Sequence, residues 1–416
     1  MRTLLWTLWI SAAVPVVAQE EDWNPVRSEK RPKGLVDLGR VTEVYEHGTR
    51  KAWGYKAPQQ DTFIVVHPKA DRPNAPLYVV LHSAGHAVVS CVNCTVQVGN
   101  HDIYRSPDEF YALYLDCAAN RGDWWWGGMP ASDTELVKRN SGVDLRPVER
   151  RVIDTVQWVI QKYGIDPNRV YLCGNSMGGS GTLGIGMRHG DLFAAIKANV
   201  PAGIEHVSHR MGFPPQSVPE TLKLPDPPVV VDYSAQNDGW SFGHERLVKS
   251  MNDRKYALYF YWGPFGHANN SAAILSTNDL VNSFDWLNVR RNEAYAVFTN
   301  ASSNSALPWP DHLEDKTPGQ VNAFFRWKTL ADSPERLEMA LSLCSSADLK
   351  TAFAIPKEAT ADVSLRRIQR FSVAPGAALS WTYGGTKGTV MADREGLITI
   401  PGLPIAPEAT LLTLRR

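Results

Sequence analysis

The stretch that decides the fold is residues 169–179, Arg-Val-Tyr-Leu-Cys-Gly-Asn-Ser-Met-Gly-Gly, in which an apolar run meets a serine flanked by glycines. Residues 170–173 indicate a buried strand, and the segment from Gly178 to about His189 is compatible with a helix. Glycines stand two positions before and two after Ser176, where side chains would collide in a sharp turn. The pattern predicts a nucleophilic serine exposed at a strained strand-to-helix turn, above the positive end of a helix.

Alternating strand and helix patterns surround this turn. Residues 76–82 are almost continuously hydrophobic, as in a strand buried on both faces, and residues 147–163 carry a helical stripe of apolar side chains. Further strands are predicted at 193–200, 227–234 and 256–262. Short links between alternating strands and helices predict the α/β class, with a doubly wound, mostly parallel sheet.

Two downstream loops supply the acid and the base that a nucleophilic serine needs. Asp238 follows a predicted strand and is our choice for the acid, with Asp232, inside that strand, as the second choice. Of the eleven histidines, only His244, His267 and His312 lie beyond Asp238. His244 belongs to a helical pattern and His312 to a Pro-rich segment, so His267, in a loop of small residues, is the predicted base.

The strand before Ala84 also ends in a loop of small residues. Such a loop allows a backbone N–H to point at a developing oxyanion without obstruction. We predict the N–H groups of Ala84 and Met177 as the oxyanion hole, with Ser83 or Gly85 as alternatives to Ala84. His82 is interpreted as a brace for this loop, because the catalytic base is expected last in the chain.

Three adjacent tryptophans, Trp124, Trp125 and Trp126, follow the next predicted strand. Neighbouring side chains point in different directions, so all three cannot face one core. All three are predicted substrate-binding residues, and we expect at least one of them at the cleft, where an indole face stacks on a sugar ring or an aromatic acyl group. Packing of these rings against the C-terminal part of the chain is the alternative.

The composition limits the choice of partners and of redox chemistry. The chain has 43 basic and 43 acidic residues, so a nucleic acid or an anionic membrane surface is not an expected partner. Its five cysteines include Cys91-Val-Asn-Cys94, typical of a redox pair or half a zinc site, but no second Cys-x-x-Cys follows. We expect a disulfide within the group Cys91, Cys94 and Cys117, with Cys173 in a buried strand and Cys344 unpaired.

The N-terminus is typical of an exported protein. Residues 1–18 combine a basic start at Arg2, an apolar run at 4–10 and small residues before a predicted cleavage site after Ala18. The run is too short to span a bilayer, and no later segment reaches the necessary length, so we expect a secreted or periplasmic protein without a membrane span.

Together these pieces resemble the α/β-hydrolase superfamily, over about residues 50–290. The matching motifs are Leu81-His-Ser-Ala, Gly174-Asn-Ser-Met-Gly, Asp238 and Gly266-His267. Within the superfamily, the chain is most similar to exported serine esterases related to prolyl oligopeptidase and polyhydroxybutyrate depolymerase, including feruloyl and acetylxylan esterases. The family often has His-Gly where this chain has His82-Ser83, which bears on the choice of oxyanion donor. A peptidase of the prolyl oligopeptidase type also has a large N-terminal propeller, and only about 60 residues precede this core.

The resemblance implies acyl transfer to water, with Ser176 as the nucleophile, His267 as the base and Asp238 as the acid that orients it. It implies neither a metal nor an organic cofactor. The expected substrate is an acetyl or feruloyl-type ester on a polysaccharide. A polyester depolymerase or lipase shares the machinery, and a carbohydrate-binding scaffold with an inactive core is the non-enzymatic alternative.

The remaining sequence sets the predicted domain limits. Residues 19–60 are a polar lead-in segment that adds edge strands, residues 61–300 form the hydrolase domain, and the Pro- and Ser-rich residues 301–318 form a linker. Residues 319–416 carry short strand patterns separated by turn signals, which predict a β-sandwich-like domain. Its role and the oligomeric state are left open by the sequence.

Overall fold

A computed structural model describes most of the chain. The described residues are 23–48, 50–55, 59–97, 101–119, 123–125, 145–214, 223–267, 280, 283–311, 313–345 and 353–416. The predicted signal peptide at 1–18, its cleavage site and Trp126 lie outside them.

A ten-stranded mixed sheet forms the centre of the molecule. Its strands in chain order are β1 (Val26–Arg27), β2 (Thr42–Glu46), β3 (Thr62–Val66), β4 (Leu77–Leu81), β5 (Tyr111–Leu115), β6 (Val170–Asn175), β7 (Ala195–Asn199), β8 (Val229–Ala235) and β9 (Leu258–Gly263). The tenth strand comes from later in the chain and is described below. Each of the strands from β4 to β9 is buried along its whole length, as the continuous hydrophobic sequence of β4 predicts for that strand.

The strand order is β1-β2-β3-β5-β4-β6-β7-β8-β9. The pairs β1–β2, β2–β3 and β3–β5 are antiparallel. From β5 through β4 to β9 every pair is parallel. The carboxyl ends of β4, β6, β8 and β9 therefore lie on one edge of the sheet, where open α/β sheets bind their ligands. The predicted α/β fold with a mostly parallel sheet is confirmed, and the lead-in residues do add the edge strands β1 and β2.

Helices cover the sheet on both faces. They are α1 (Val88–Cys94), α2 (Pro147–Tyr163), α3 (Met177–Gly186), α4 (Glu205–Met211) and α5 (His244–Asp253). The alternation of side chains along β4 separates two cores: Leu77, Val79 and Leu81 pack with α2 to α5, whereas Tyr78 and Val80 pack with α1. Among the described helices, none is both long and apolar enough to cross a lipid bilayer.

Two antiparallel sheets make up the C-terminal part. One contains β10 (Tyr295–Thr299), β14 (Ala359–Arg366) and β17 (Ile398–Ile405), and the other contains β12 (Phe325–Asp332), β13 (Arg336–Leu343), β15 (Ala378–Tyr383), β16 (Thr386–Met391) and β18 (Thr410–Arg415). Both are all-β and antiparallel, consistent with the predicted sandwich-like domain. Their apolar side chains join the same core as one face of the large sheet, so this region buttresses the hydrolase core.

Two strands lie on the other side of the predicted domain limits. β10 precedes the predicted linker, yet it pairs with β14 in the C-terminal part. The short strand β11 (Gly319–Val321) follows the linker, yet it pairs antiparallel with β9 and completes the large sheet as its tenth strand. Thus one strand before residues 301–318 belongs to the C-terminal part, and one strand after them belongs to the large sheet. Local sequence patterns do not encode such long-range pairing.

The expected disulfide is absent. Cys91, Cys94, Cys117, Cys173 and Cys344 are all buried, and none of them is bonded to another cysteine. Cys91 and Cys94 lie one turn apart on α1, and burial raises the pKa of both thiols. The prediction of a disulfide within Cys91, Cys94 and Cys117 is therefore wrong, because no disulfide joins any two of these buried cysteines.

Candidate active site

The predicted turn after β6 has the geometry that its glycines require. Ser176 adopts φ 54° and ψ −118°, a strained conformation for a residue with a side chain, and α3 begins at the next residue. A Cβ added to Gly178 would lie 2.0 Å from the carbonyl oxygen of Leu81, and one added to Gly174 would lie 2.4 Å from the backbone of Gly178. Only glycine fits at both positions, so the backbone of the elbow packs directly against the end of β4.

The loop after β8 holds the predicted acid in a fixed orientation. Asp238 is 5% exposed, and its Oδ1 accepts the backbone N–H of Trp240 at 2.9 Å, capping a short 3-10 turn at Gly239–Ser241. The Ser241 hydroxyl donates to the carbonyl oxygen of Asp238 at 2.7 Å. With Oδ1 engaged by the backbone, Oδ2 remains to accept a bond from a neighbouring loop.

The predicted base stands in the loop that follows β9. Phe265 is anchored in the core, and Gly266 has φ +64°, in the left-handed region that favours glycine. The N–H of Gly266 donates to Oδ1 of Asn237 at 2.7 Å, which fastens this loop to the acid loop. The turn leaves the His267 side chain 33% exposed, at the carboxyl edge of the sheet.

A continuous hydrogen-bond chain joins the three predicted catalytic side chains. Oγ of Ser176 lies 2.7 Å from Nε2 of His267, and Nδ1 of His267 lies 2.6 Å from Oδ2 of Asp238. Residues separated by up to 91 positions are therefore brought together in the order that nucleophilic serine catalysis uses. In this arrangement Nδ1 of His267 donates to the carboxylate, which leaves Nε2 to accept the serine proton.

The second-choice acid is engaged elsewhere. Asp232 is fully buried inside β8, and its Oδ2 lies 3.2 Å from Nε2 of His244 on α5. The His244 ring in turn stacks on Phe260, with centroids 5.0 Å apart. Burial raises the pKa of Asp232 while His244 lowers it, with a net upward shift. Asp232 and His244 form an internal pair that does not reach Ser176.

A cavity of about 590 Å³ opens beside the elbow and contains the predicted oxyanion donors. Its wall includes Ala84, Gly85 and Met177. Met177 is the first residue of α3, a position whose N–H has no partner within the helix. The N–H of Ser83 donates to the Tyr104 hydroxyl at 2.8 Å, which removes Ser83 from the alternatives and leaves Ala84 or Gly85.

His82 braces the oxyanion loop, as the sequence predicted. The ring is 1% exposed, with Nδ1 2.8 Å from the Ser83 carbonyl oxygen and Nε2 3.1 Å from Oδ1 of Asp116. Burial raises the pKa of Asp116, but the hydrogen bond and the charge of His82 lower it more, so the carboxylate form is favoured. The carboxylate also accepts the N–H of Val88 at 3.1 Å, linking the loop to the start of α1.

The adjacent tryptophans Trp124 and Trp125 point in different directions, as expected for neighbouring side chains. Trp124 is partly exposed and lines the cavity, whereas Trp125 is fully buried and donates its indole N–H to the His82 carbonyl oxygen at 2.9 Å. The prediction that Trp125 contacts substrate is therefore wrong. A Cβ on Gly181 would lie 2.3 Å from that of Trp125, so the small residue on α3 creates the space for the buried ring.

Sequence reasoning missed an aromatic pair on the acid side of the site. Trp240 and Phe242 flank the 3-10 turn after Asp238, and they are 41% and 53% exposed. Large aromatic side chains so exposed present an apolar surface beside the predicted acid. The signal in the sequence is the Asp238-Gly-Trp motif, which places Trp240 two residues after the predicted acid.

One protein-family model matches part of the chain. Residues 150–203, which contain most of α2, the elbow and β7, match the prolyl oligopeptidase family (Peptidase_S9). A search of curated proteins found no match.

Solved structures with similar folds include several hydrolases. A fluorophosphonate-binding serine hydrolase F from Staphylococcus aureus is 11% identical, over 60% of this chain and 99% of that one, with a TM-score of 0.41. An acetyl xylan esterase from Aspergillus awamori is 12% identical, over 55% of this chain and 93% of that one, with a TM-score of 0.37. A carboxylesterase from Bacillus cereus is 13% identical, over 53% of this chain and 93% of that one, with a TM-score of 0.36.

The sheet order, the strained elbow after β6 and the match over residues 150–203 confirm the resemblance to α/β-hydrolases that the sequence motifs indicated. The hydrogen-bonded Ser176, His267 and Asp238 have the geometry of a catalytic triad. Together, these findings support a serine hydrolase with an α/β-hydrolase fold.

Proposed function

We propose that the protein is an exported serine esterase that hydrolyses carboxylic esters attached to polysaccharides, of the acetyl or feruloyl type. The observation that carries the catalytic part is the hydrogen-bond chain from Ser176 through His267 to Asp238, at 2.7 and 2.6 Å, on a strained elbow. Export is proposed from the signal-peptide pattern of residues 1–18, and sequencing the N-terminus of the mature protein tests the cut after Ala18.

In the proposed mechanism, Oγ of Ser176 attacks the ester carbonyl carbon while its proton moves to Nε2 of His267. Asp238 holds the imidazole through Nδ1 and stabilises the imidazolium that forms. The tetrahedral intermediate collapses to an acyl-enzyme, and His267 gives the proton to the departing alcohol. Water then attacks the acyl-enzyme with His267 as its base, which releases the acid and restores the serine.

The oxyanion hole is proposed to consist of the N–H of Met177 and that of Ala84, with Gly85 as the remaining alternative to Ala84. Ala84, Gly85 and Met177 all line the cavity beside Ser176, and Met177 lies at the positive N-terminal end of α3. Loss of one such donor costs about 3–4 kcal/mol of transition-state stabilisation in comparable sites.

The polysaccharide part of the proposal is supported by aromatic surfaces on two sides of the triad. Trp124 lines the cavity next to the oxyanion loop, and Trp240 with Phe242 is exposed beside the acid loop. A cavity of about 590 Å³ is of a size that holds an acyl group or one ring. Apolar faces suit a sugar ring or a feruloyl ring, and the described residues that line the cavity include no aspartate, glutamate, lysine or arginine.

A peptidase is the second candidate, because residues 150–203 match the prolyl oligopeptidase family. A substrate panel separates these activities: acetylated xylan, feruloylated arabinoxylan, a short-chain polyester film and a chromogenic Xaa-Pro peptide, each with purified protein and with Ser176→Ala. Release of acetate or ferulate that disappears in Ser176→Ala supports the proposal. Faster turnover of the peptide or of the polyester would overturn the substrate assignment, and no turnover of any ester would overturn the esterase.

A further inference from the structure

Beside the triad, two histidines and a cysteine converge on one point. His86 follows the oxyanion loop, Cys94 is the last residue of α1, and His101 precedes a 3-10 turn at Asp102–Tyr104. One ligand atom from each of the three residues lies within 4.8 Å of the others. Nothing in the proposed ester hydrolysis uses these side chains.

The spacing of these atoms is close to that of a metal site. Nitrogen and thiolate ligands at about 2.0–2.3 Å from a tetrahedral zinc ion lie about 3.3–3.8 Å from one another. Side-chain rotations that move each atom by about an ångström or less would close the observed spacing to these values. The two imidazole rings already lie in contact in a T-shaped arrangement, with centroids 5.0 Å apart.

A second, independent observation points to a missing ligand. Nδ1 of His86 is buried, and within the described part of the chain it has no hydrogen-bond partner. A buried polar atom normally finds a partner, because leaving it unpaired costs free energy. A bound cation would supply that partner.

Contacts with neighbouring residues hold the three side chains near the proposed oxyanion loop. The His101 ring stacks on Tyr104 with centroids 5.0 Å apart, and the Tyr104 hydroxyl accepts the N–H of Ser83 in the oxyanion loop. His86 lines the cavity that contains Ala84. The cluster therefore connects the end of α1 and the segment before Tyr104 to the loop that carries the proposed oxyanion donor.

We propose that His86, Cys94 and His101 bind one zinc ion, which fastens the oxyanion loop to the end of α1. Imidazole and thiolate ligands favour zinc among the common divalent metals, and a set of three protein ligands leaves a fourth position for water. Cys94 loses its thiol proton to solvent on binding, and no electron is transferred. The Cys91-x-x-Cys94 motif thus contributes only its second cysteine, and the other ligands are histidines from the flanking segments.

Cobalt(II) replaces zinc in such sites and reports directly on the ligands. The experiment uses tag-free protein in the Ser176→Ala background, so that its result is independent of ester hydrolysis. After treatment with a chelator, the protein is titrated with Co²⁺ while thiolate-to-cobalt charge transfer and visible bands are recorded, followed by displacement with Zn²⁺. We expect one ion per chain, a thiolate band, visible bands of tetrahedral intensity, and a melting temperature that rises with Zn²⁺ concentration.

Matched variants identify the ligands. Cys94→Ala should abolish the thiolate band, whereas Cys91→Ala, three residues earlier on the same helix, should retain it. His101→Gln should weaken binding at least tenfold, whereas His67→Gln, outside the cluster, should not. Circular dichroism of the metal-free variants checks that they fold.

Several results would overturn the proposal. One is the absence of a thiolate band in the Ser176→Ala protein that retains His86, Cys94 and His101, a measurement that requires no substitution at a proposed ligand. Binding that survives both Cys94→Ala and His101→Gln, or that is lost in Cys91→Ala and not in Cys94→Ala, would also contradict it.

Discussion

The hydrogen bond between the acid and base loops provides a sharp test of how the triad is held. The N–H of Gly266 donates to Oδ1 of Asn237 at 2.7 Å, while the neighbouring residues Asp238 and His267 form the hydrogen-bonded acid–base pair of the proposed triad. Asn237 is exposed and His267 is 33% exposed, so little packing holds the imidazole in place. We predict that Asn237→Ala loosens the histidine loop without disturbing the core.

The magnitude follows from this one bond. A neutral hydrogen bond contributes about 0.5–1.5 kcal/mol net, and 1.4 kcal/mol corresponds to a factor of ten. Because the bond positions the base and does not contact the proposed substrate, kcat should fall about 2–10-fold while KM changes little. The rate of serine labelling by a fluorophosphonate should fall by a similar factor, since it uses the same base.

The assay measures kcat and KM on a soluble chromogenic acetate ester, at a pH above the transition of the base. Asn237→Asp is the matched control, because its carboxylate retains an oxygen that accepts the Gly266 N–H, and it should keep kcat within about twofold at that pH. Asn237→Ala with unchanged kcat and labelling rate would refute the positioning argument. Equal losses in both variants would also refute it, since the acceptor would then not be what matters.

Three further substitutions test other parts of the structure. Gly178→Ala would place a Cβ 2.0 Å from the Leu81 carbonyl oxygen, so we expect a loss of about 1–3 kcal/mol in stability and of about 100-fold or more in kcat, measured by denaturant unfolding and esterase assay. Trp309→Phe removes an indole donor 3.1 Å from Oγ of Ser241, under the acid loop, and should cost about 0.5–1.5 kcal/mol, with unchanged stability as the contrary result. Burial raises the pKa of Glu149, but neighbouring arginines and a histidine lower it to about 2, so its stabilisation is fully present above pH 4.5 and disappears as the pH falls towards 2. Over that pH range, the free energy of unfolding of the wild type should fall by about 3 kcal/mol more than that of Glu149→Gln. An identical pH dependence in both proteins would contradict this.

The parts of the site that sequence could predict are those imposed by local backbone chemistry and chain order. A serine at a sharp turn from a buried strand into a helix needs glycines such as Gly174 and Gly178 on either side. The elbow can therefore be predicted from a short local motif. Asp238 and His267 follow because parallel strands place successive loops on one edge of the sheet. The continuous hydrophobicity of β4 similarly indicates burial on both faces before any contact is known.

What the sequence could not provide depends on contacts between distant segments. Adjacent tryptophans must diverge, but only the space left by Gly181 on α3 decides that Trp125 is the buried one. The exchange of β10 and β11 across the linker is a choice of strand partner, which no local pattern records. The cysteines of α1 suggested a disulfide, whereas in three dimensions Cys94 faces two histidines.

The central claim is that the hydroxyl of Ser176 is an activated nucleophile. Its most direct test is reaction of the folded protein with a fluorophosphonate, followed by mass spectrometry of the peptide that contains residues 170–188. The account predicts one phosphonyl group per chain, on Ser176, with labelling abolished in Ser176→Ala and reduced at least 100-fold in His267→Ala. An unlabelled wild-type protein, or a label on a different residue that persists in Ser176→Ala, would contradict it.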